Sequence, residues 1–192
     1  MKTAANKQQA AAHFEKAKPD EKPRSLVTHE FPPVYAANSR ILILGSIPSP
    51  TSRKMQFYYG HPRNRFWKTL AALFGEAEPE GKPAREAFAL RHRIALWDVL
   101  AQCRIHGAED GSIADPVPND LRLILNQADI RCIFTTGAKA QSLYNKYCAP
   151  VCKRPAVQLP STSPANCAVK EEELVRAYRQ ILPYLEEKSC NN

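Results

Sequence analysis

The hydrophobic positions of the chain form short apolar runs separated by longer amphipathic segments. The first run, Ile41–Leu44, has four consecutive aliphatic residues, which is typical of a strand buried on both faces. It is followed by Gly45-Ser46, which ends the strand. Further runs predict strands at Ile94–Trp97, Ile130–Thr135 and Ala156–Leu159.

Helical spacing marks the segments between these runs. After the first strand, apolar side chains at Phe66, Trp67, Leu70, Leu73 and Phe74 fall on one face of a helix, and Gly75 stands where it would end. Other helices are predicted around residues 83–91, after a cap at Asn119-Asp120, up to Tyr147, and from about Val169, with Pro183 disrupting the last turn.

Strands that alternate with helices predict right-handed crossovers and an α/β fold. We expect three layers, α/β/α, with a central four-stranded parallel sheet. The four strand ends then meet at one edge, where open parallel sheets bind ligands. The segments at that edge are Ser46–Ser49, Asp98, Thr136-Gly137 and Ser161–Asn166.

Residues 1–27 are rich in Lys, Ala and Gln without a sustained apolar stripe, and we interpret them as a flexible basic tail. Such a tail is either an inert extension or a non-specific grip on nucleic acid. Residues 28–192 are predicted to form a single α/β domain. Within it, the polar segment Cys103–Pro118 is predicted to be an irregular loop, long enough to suspect a function.

Charge and cysteine usage narrow the classes of function. The 192 residues carry a net charge of +8, which favours a polyanionic partner. No run of about 18 apolar residues is present, and the N-terminus lacks the apolar segment of a secretory signal. Cys148 and Cys152 form a CxxxC pair rather than the CxxC of zinc or redox sites, so neither a metal nor a cofactor is expected.

Two motifs carry a resemblance to a known family. The first consists of GSIPSP at Gly45–Pro50 and YYGHPRNRFW at Tyr58–Trp67, and the second is LPSTSPAN at Leu159–Asn166. With HEFPPVY at His29–Tyr35 and WDVL at Trp97–Leu100, they resemble the uracil-DNA glycosylase superfamily, and most closely its hypoxanthine-DNA glycosylase branch. The resemblance covers roughly residues 29–185, and the paired motifs are more specific than either alone.

The resemblance implies a monofunctional DNA glycosylase that removes deaminated bases, hypoxanthine foremost and uracil second, in base excision repair. Other branches have Asp or Asn in the first motif, as in GQDPY or GINPG, where this chain has Ile47. Some begin the second motif with His, where this chain has Leu159. Both departures are features of the hypoxanthine branch and argue against a vigorous uracil glycosylase.

Removal of a base requires groups that bind the hydrogen-bonding edge of the base and groups that position a water. Asn64 is the main catalytic candidate, because its amide both donates and accepts hydrogen bonds. Spacing alone would make it the N-cap of the following helix, and the resemblance favours catalysis. Ser46 is the second catalytic candidate, although as a nucleophile it lacks the G-x-S-x-G turn and an evident His partner.

The remaining candidates bind substrate. The resemblance implies that Tyr59 stacks on the extruded base, with Ile47 and Tyr58 beside it, and the alternative for Tyr59 is a loop tyrosine packed on the sheet. Small polar residues are predicted to grip the DNA backbone: Ser49, Ser161, Thr162, Ser163 and Asn166. LPSTSPAN would otherwise be an ordinary turn. Asp98 is interpreted as an anchor or a helix cap.

The expected partner is double-stranded DNA containing a deaminated base. We expect the protein to be a monomer that acts in the cytoplasm, associated with the nucleoid when on DNA, and that does not bind a membrane. Two alternatives stay open. One is a basic α/β module that binds nucleic acid without cleaving the glycosidic bond. The other is a mismatch-specific uracil or thymine glycosylase.

Overall fold

The chain is described here by a computed structural model that covers residues 23–186. Its helices are α1 Pro50–Met55, α2 Phe66–Phe74, α3 Gly81–Arg91, α4 Arg122–Leu125, α5 Ala138–Leu143, α6 Ala149–Cys152, α7 Glu171–Tyr178 and α8 Leu182–Leu185. Its strands are β1 Ser25–Thr28, β2 Ile41–Gly45, β3 Ile94–Asp98, β4 Leu100–Ile105, β5 Ala114–Pro118, β6 Cys132–Thr136 and β7 Ala156–Leu159.

Four strands form the predicted parallel sheet, in the order β3-β2-β6-β7. Every residue of β2 and β3 is buried, so both faces of the sheet are covered, as the aliphatic runs predicted. The largest side chains of the core include Trp67, Phe66 and Tyr178. The predicted α/β fold with a central four-stranded parallel sheet is therefore confirmed.

A second sheet, antiparallel with the order β1-β4-β5, was not predicted. Both ends of Cys103–Pro118 belong to this sheet, within β4 and β5, so the prediction of an irregular loop over the whole segment was wrong. β4 begins one residue after β3, which hides the boundary between them in the sequence. The sequence of β5, ADPVP, contains two prolines, and these are tolerated because β5 lies at the edge of the sheet.

The predicted boundaries shift in several places. The predicted loop after β2 contains α1, where Ser49 is the N-cap and Pro50 the first helical residue. The final helix breaks into α7, a 3₁₀ turn and α8, with Pro183 in the last piece, as predicted. Residues 25–27, assigned to the basic tail, belong to β1, and residues 1–22 lie outside the described part of the chain.

Candidate active site

A cavity of about 130 Å³ opens at the carboxyl ends of the parallel strands. Because one water needs only about 10–15 Å³ of such space, the cavity has room for a small molecule. The predicted site residues that line it are Ser46, Ile47, Ser49, Tyr58, Tyr59, Asn64, Ser161, Thr162 and Ser163. The predicted residue Asn166 does not line it. The structure thus joins the two sequence motifs at one site.

The floor of the cavity is the turn after β2. The Val99 N–H donates to the Gly45 carbonyl at 2.8 Å and the Leu100 N–H donates to the Ser46 carbonyl at 3.0 Å, which fixes this turn against β3 and β4. A Cβ atom at Gly45 would lie 2.3 Å from the Asp98 carboxylate. Only glycine therefore lets the Asp98 carboxylate lie this close to the turn.

Asp98 lies at the end of β3 and lines the cavity. Its Oδ2 atom is 2.9 Å from His29 Nε2, and both side chains are almost fully buried. The His29 ring also packs against Phe31, with ring centroids 4.4 Å apart. Asp98 is thus more than a helix cap, because it joins the cavity to the segment that precedes β2.

Asn64 lies just before α2 and has two bound partners. Its Oδ1 atom accepts the Phe66 N–H at 3.0 Å and the Thr162 hydroxyl at 2.9 Å. The backbone N–H can only donate, so this atom must be the amide oxygen and the orientation of the amide is fixed. Within residues 23–186, the Asn64 NH₂ group has no hydrogen-bond partner. Asn64 therefore caps the helix and still has a free donor at the cavity.

Tyr59 has a backbone φ of +52°, a left-handed conformation that costs about 1–3 kcal/mol for a residue other than glycine. Its ring stacks on Phe66 with centroids 3.7 Å apart. Its hydroxyl lies 3.3 Å from Thr136 Oγ1, whose own proton goes to the Leu44 carbonyl. Burial, and secondarily the Asp98 carboxylate, raise the pKa of Tyr59 well above its usual value, so the phenol stays protonated.

Tyr58 faces the interior, while Ile47 is a nearly buried part of the cavity wall. The Tyr58 hydroxyl donates to the Pro32 carbonyl at 3.0 Å, and its ring packs edge-on against Phe31. Burial raises the pKa of Tyr58, and Asp98 adds to the rise. Tyr58 therefore contributes shape to the cavity wall rather than a free hydroxyl.

Ser46 is paired with Asp110, a residue of the segment between β4 and β5. The Ser46 Oγ atom lies 3.0 Å from both carboxylate oxygens of Asp110. Burial raises the pKa of Asp110, and Asp98 adds to the rise, whereas the Ser46 hydrogen bond and Lys139 oppose it. The cavity is thus lined by two carboxylates, Asp98 and Asp110.

Ser49 is the N-cap of α1. Its Oγ atom accepts the Ser52 N–H at 3.2 Å and donates to Ser52 Oγ, which in turn accepts the Gly60 N–H at 3.0 Å. These bonds hold the start of α1 against the turn that carries Tyr59. A Ser-Pro pair is a typical start of a helix, although this segment was predicted to be a loop.

The second motif forms a braced loop after β7. The Asn166 side chain donates to the Ser161 carbonyl at 2.8 Å, and the Ser161 hydroxyl accepts the Ser163 N–H. The Ser163 hydroxyl accepts the Ala165 N–H at 3.3 Å. Leu159, which stands where some relatives have His, is fully buried at the end of β7 and contributes no polar group to the site.

Arg65 ties this loop to α2. Its backbone N–H donates to the Thr162 carbonyl at 3.1 Å, and its guanidinium donates to the carbonyls of Asn166 and Val169. Together with the bond from Thr162 to Asn64, these contacts set the position of one motif by the other. Arg65 was not predicted as a site residue, because only the folded chain brings these carbonyls to it.

Replacing Arg65 with Gln should loosen the loop and lower stability, since hydrogen bonds from a charged donor contribute about 1.5–3 kcal/mol each. The effect should appear as faster amide hydrogen exchange in residues 160–169 and a lower melting temperature. Arg63→Gln is the matched control, because Arg63 is exposed. Equal exchange in both variants would contradict the role given to Arg65.

Sequence reasoning also missed His29 as the partner of Asp98 and Asp110 as the partner of Ser46. His29 was noted only within HEFPPVY, and Asp110 only within a segment suspected of function for its length. In the described part of the chain, no cluster of three or more His, Cys, Asp or Glu is arranged to hold a metal. Among the same residues, no helix has the length and apolarity to span a membrane.

The chain is similar to known proteins. The sequence profile of the Uracil DNA glycosylase superfamily matches residues 32–186. The chain is 37% identical over 112 residues to a protein named hypoxanthine DNA glycosylase from Methanosarcina barkeri, covering 57% of this chain and 71% of that protein. A protein of the same name from Methanosarcina acetivorans is 36% identical over 117 residues, covering 60% of this chain and 74% of that protein.

A solved structure is similar over a larger part of the chain. It is the solution NMR structure of a candidate uracil DNA glycosylase from Methanosarcina acetivorans, with a TM-score of 0.66 and 32% sequence identity. The match covers 79% of this chain and 96% of that one, so it includes most of the fold that positions the cavity.

Proposed function

We propose that this chain, which belongs to the uracil DNA glycosylase superfamily, is a monofunctional glycosylase that removes hypoxanthine from double-stranded DNA. The reaction hydrolyses the bond between C1′ of the sugar and the base, and leaves an abasic site for base excision repair. The names of two relatives support hypoxanthine as the foremost base. The proposed place of action is chromosomal DNA in the cytoplasm.

The observation that carries the proposal is the fixed amide of Asn64. Negative charge develops on the leaving base as the C1′–N bond breaks, and a preorganised donor at that position lowers the barrier. With its oxygen held by the Phe66 N–H and the Thr162 hydroxyl, the Asn64 NH₂ group is oriented before the substrate arrives. Hypoxanthine has acceptors at O6, N3 and N7 that such a donor can bind.

The aromatic pair Tyr59 and Phe66 supports recognition of an extruded base. Phe66 backs one face of the Tyr59 ring at 3.7 Å, and Tyr59 lines the cavity. Extruded bases are held between aromatic or apolar side chains, and stacking contributes about 1–3 kcal/mol per base. Ile47 and Tyr58 complete the apolar part of the wall.

Contacts with the DNA backbone are assigned to the loops around the cavity. Ser49, Ser161 and Ser163 line the cavity and are partly exposed, whereas Thr162 is buried and donates to Asn64. Asn166 braces the loop that carries Ser161, Thr162 and Ser163. Exposed basic side chains at Lys54 and Arg63 lie on the neighbouring segments. The net charge of +8 favours the same polyanionic partner.

A duplex with one deoxyinosine tests the proposal. After incubation with the protein, hot alkali should break the strand at that position, with less product from uracil, xanthine or a thymine mismatch. None of the cavity-lining residues among those described is a lysine, so borohydride should trap no protein–DNA adduct. A trapped adduct would contradict the monofunctional reaction, and no alkali-labile product from any duplex would favour the non-catalytic module.

A further inference from the structure

Hydrolysis of a glycosidic bond is accelerated by a group that takes a proton from the attacking water, and the two motifs do not supply one. Ile47 is aliphatic, and both bonds to the Asn64 oxygen are already made. The Tyr59 phenol stays protonated because burial raises its pKa. Among the described residues that line the cavity, the carboxylates of Asp98 and Asp110 are the remaining proton acceptors of sufficient basicity.

The surroundings of the two carboxylates differ. Asp98 has one oxygen bound to His29 at 2.9 Å and the other packed against Gly45, and the residue is only 5% exposed. Asp110 is partly exposed at the cavity. Both of its oxygens lie 3.0 Å from the Ser46 hydroxyl, which has a single proton to donate. One Asp110 oxygen is therefore available to a water.

We propose that Asp110 is the general base that activates the attacking water, and that Ser46 is the residue that positions it. This inference rests on the glycosylase function proposed above. As the water oxygen bonds to C1′, its proton passes to Asp110. The C1′–N bond breaks, and its electron pair leaves with the base, which takes up a proton from solvent. Asp110 then releases its proton, so the net reaction consumes one water.

The electrostatic setting suits this role. A general base is more effective when its pKa lies nearer the working pH, and burial together with Asp98 raises the pKa of Asp110. The groups that act against this rise are Ser46 and Lys139, and Cys103 is a further titratable neighbour. Two nearby carboxylates also favour the positive charge that builds on the sugar.

Single-turnover excision from a deoxyinosine duplex tests the proposal. Asp110→Asn should lower the rate about 10²–10⁴-fold, the usual contribution of general base catalysis. In the wild type, the logarithm of the rate should fall with unit slope as the pH drops through the pKa of Asp110, since the base must be ionised. The residual rate of Asp110→Asn should lack this acidic limb, that is, the fall of the rate at low pH. Glu109→Gln, an exposed neighbouring change, is the matched control.

Folding stability separates catalysis from structure. The folded-state pKa of Asp110 lies above its unfolded value, so the ionised carboxylate opposes folding at neutral pH and does so less as the pH falls. Asp110→Asn should therefore melt at the same temperature as the wild type or higher. Ser46→Ala removes a hydrogen bond that lowers the pKa of Asp110. The excision rate of this variant should therefore begin to fall at a higher pH than that of the wild type.

The outcomes are distinguishable. If the wild type excises no base from any duplex, the proposed function fails and this inference fails with it. If the wild type excises hypoxanthine and Asp110→Asn does so within a few-fold of that rate, the inference alone is overturned. It is also overturned if the acidic limb persists in Asp110→Asn and disappears in Asp98→Asn.

Discussion

Replacing Asn64 with Asp should leave the fold intact and lower the single-turnover rate of hypoxanthine excision by a factor of about 100 or more. The Asp oxygen can accept from the Phe66 N–H and the Thr162 hydroxyl as the amide oxygen does. A carboxylate near the start of a helix also stabilises the fold, because the helix dipole places positive partial charge there. What the variant loses is the NH₂ donor, and its negative charge repels the charge that develops on the leaving base.

Two further variants and a control complete the test. Asn64→Ala removes the cap as well, and should cost about 0.5–2 kcal/mol of stability, whereas Asn64→Ser should retain most of it. All three variants should lose the excision rate, while Asn126→Asp, which makes the same change at an exposed position, should not. A fully active Asn64→Asp or Asn64→Ser protein would remove Asn64 from the catalytic residues.

Gly45→Ala should both destabilise the protein and inactivate it. The new methyl group would lie 2.3 Å from the Asp98 carboxylate, far inside van der Waals contact. Either the turn after β2 or the Asp98 carboxylate must move, and Asp98 is bound to His29 at 2.9 Å. Overpacking of this kind costs about 1–3 kcal/mol, which corresponds to a fall of roughly 2–12 °C in melting temperature for a domain of this size.

Gly111→Ala provides the comparison, because a Cβ atom there would meet nothing within 4 Å. The melting temperature of Gly111→Ala should be close to that of the wild type. Thermal denaturation and single-turnover excision, measured on the same preparations, decide the matter. If Gly45→Ala melts and reacts like Gly111→Ala, the close approach of Asp98 to the turn is not needed for the site.

The parts of the fold that the sequence predicted are those with strong local signals. β2 has a run of aliphatic residues, and the apolar face of α2 ends at a glycine. The antiparallel sheet lacks such signals, because β4 follows β3 almost without interruption and β5 contains two prolines. The irregular end of α5, a π turn at Tyr144–Cys148, also has no marker in the sequence.

The site divides in a similar way. Asn64, Tyr59 and the serines around them lie in motifs that resemble those of a known family, and this resemblance, rather than their spacing, led to the prediction of base and DNA binding. The Asp110 carboxylate reaches the cavity from between β4 and β5, a pairing that no local pattern predicted. The contact between His29 and Asp98 joins residues 69 positions apart. Partners of this kind follow from the tertiary fold and cannot be deduced from spacing.

The contacts between the two motifs can form only late in the synthesis of the chain. Asn64 and Thr162 are 98 residues apart, and the Arg65 contact with Val169 spans 104. At about 5–20 residues per second, a ribosome needs roughly 5–20 s to make the chain between Asn64 and Thr162. Until then the Asn64 amide lacks the Thr162 hydroxyl, one of the two groups that orient it. A nascent or prematurely ended chain that stops before residue 160 therefore lacks an assembled site.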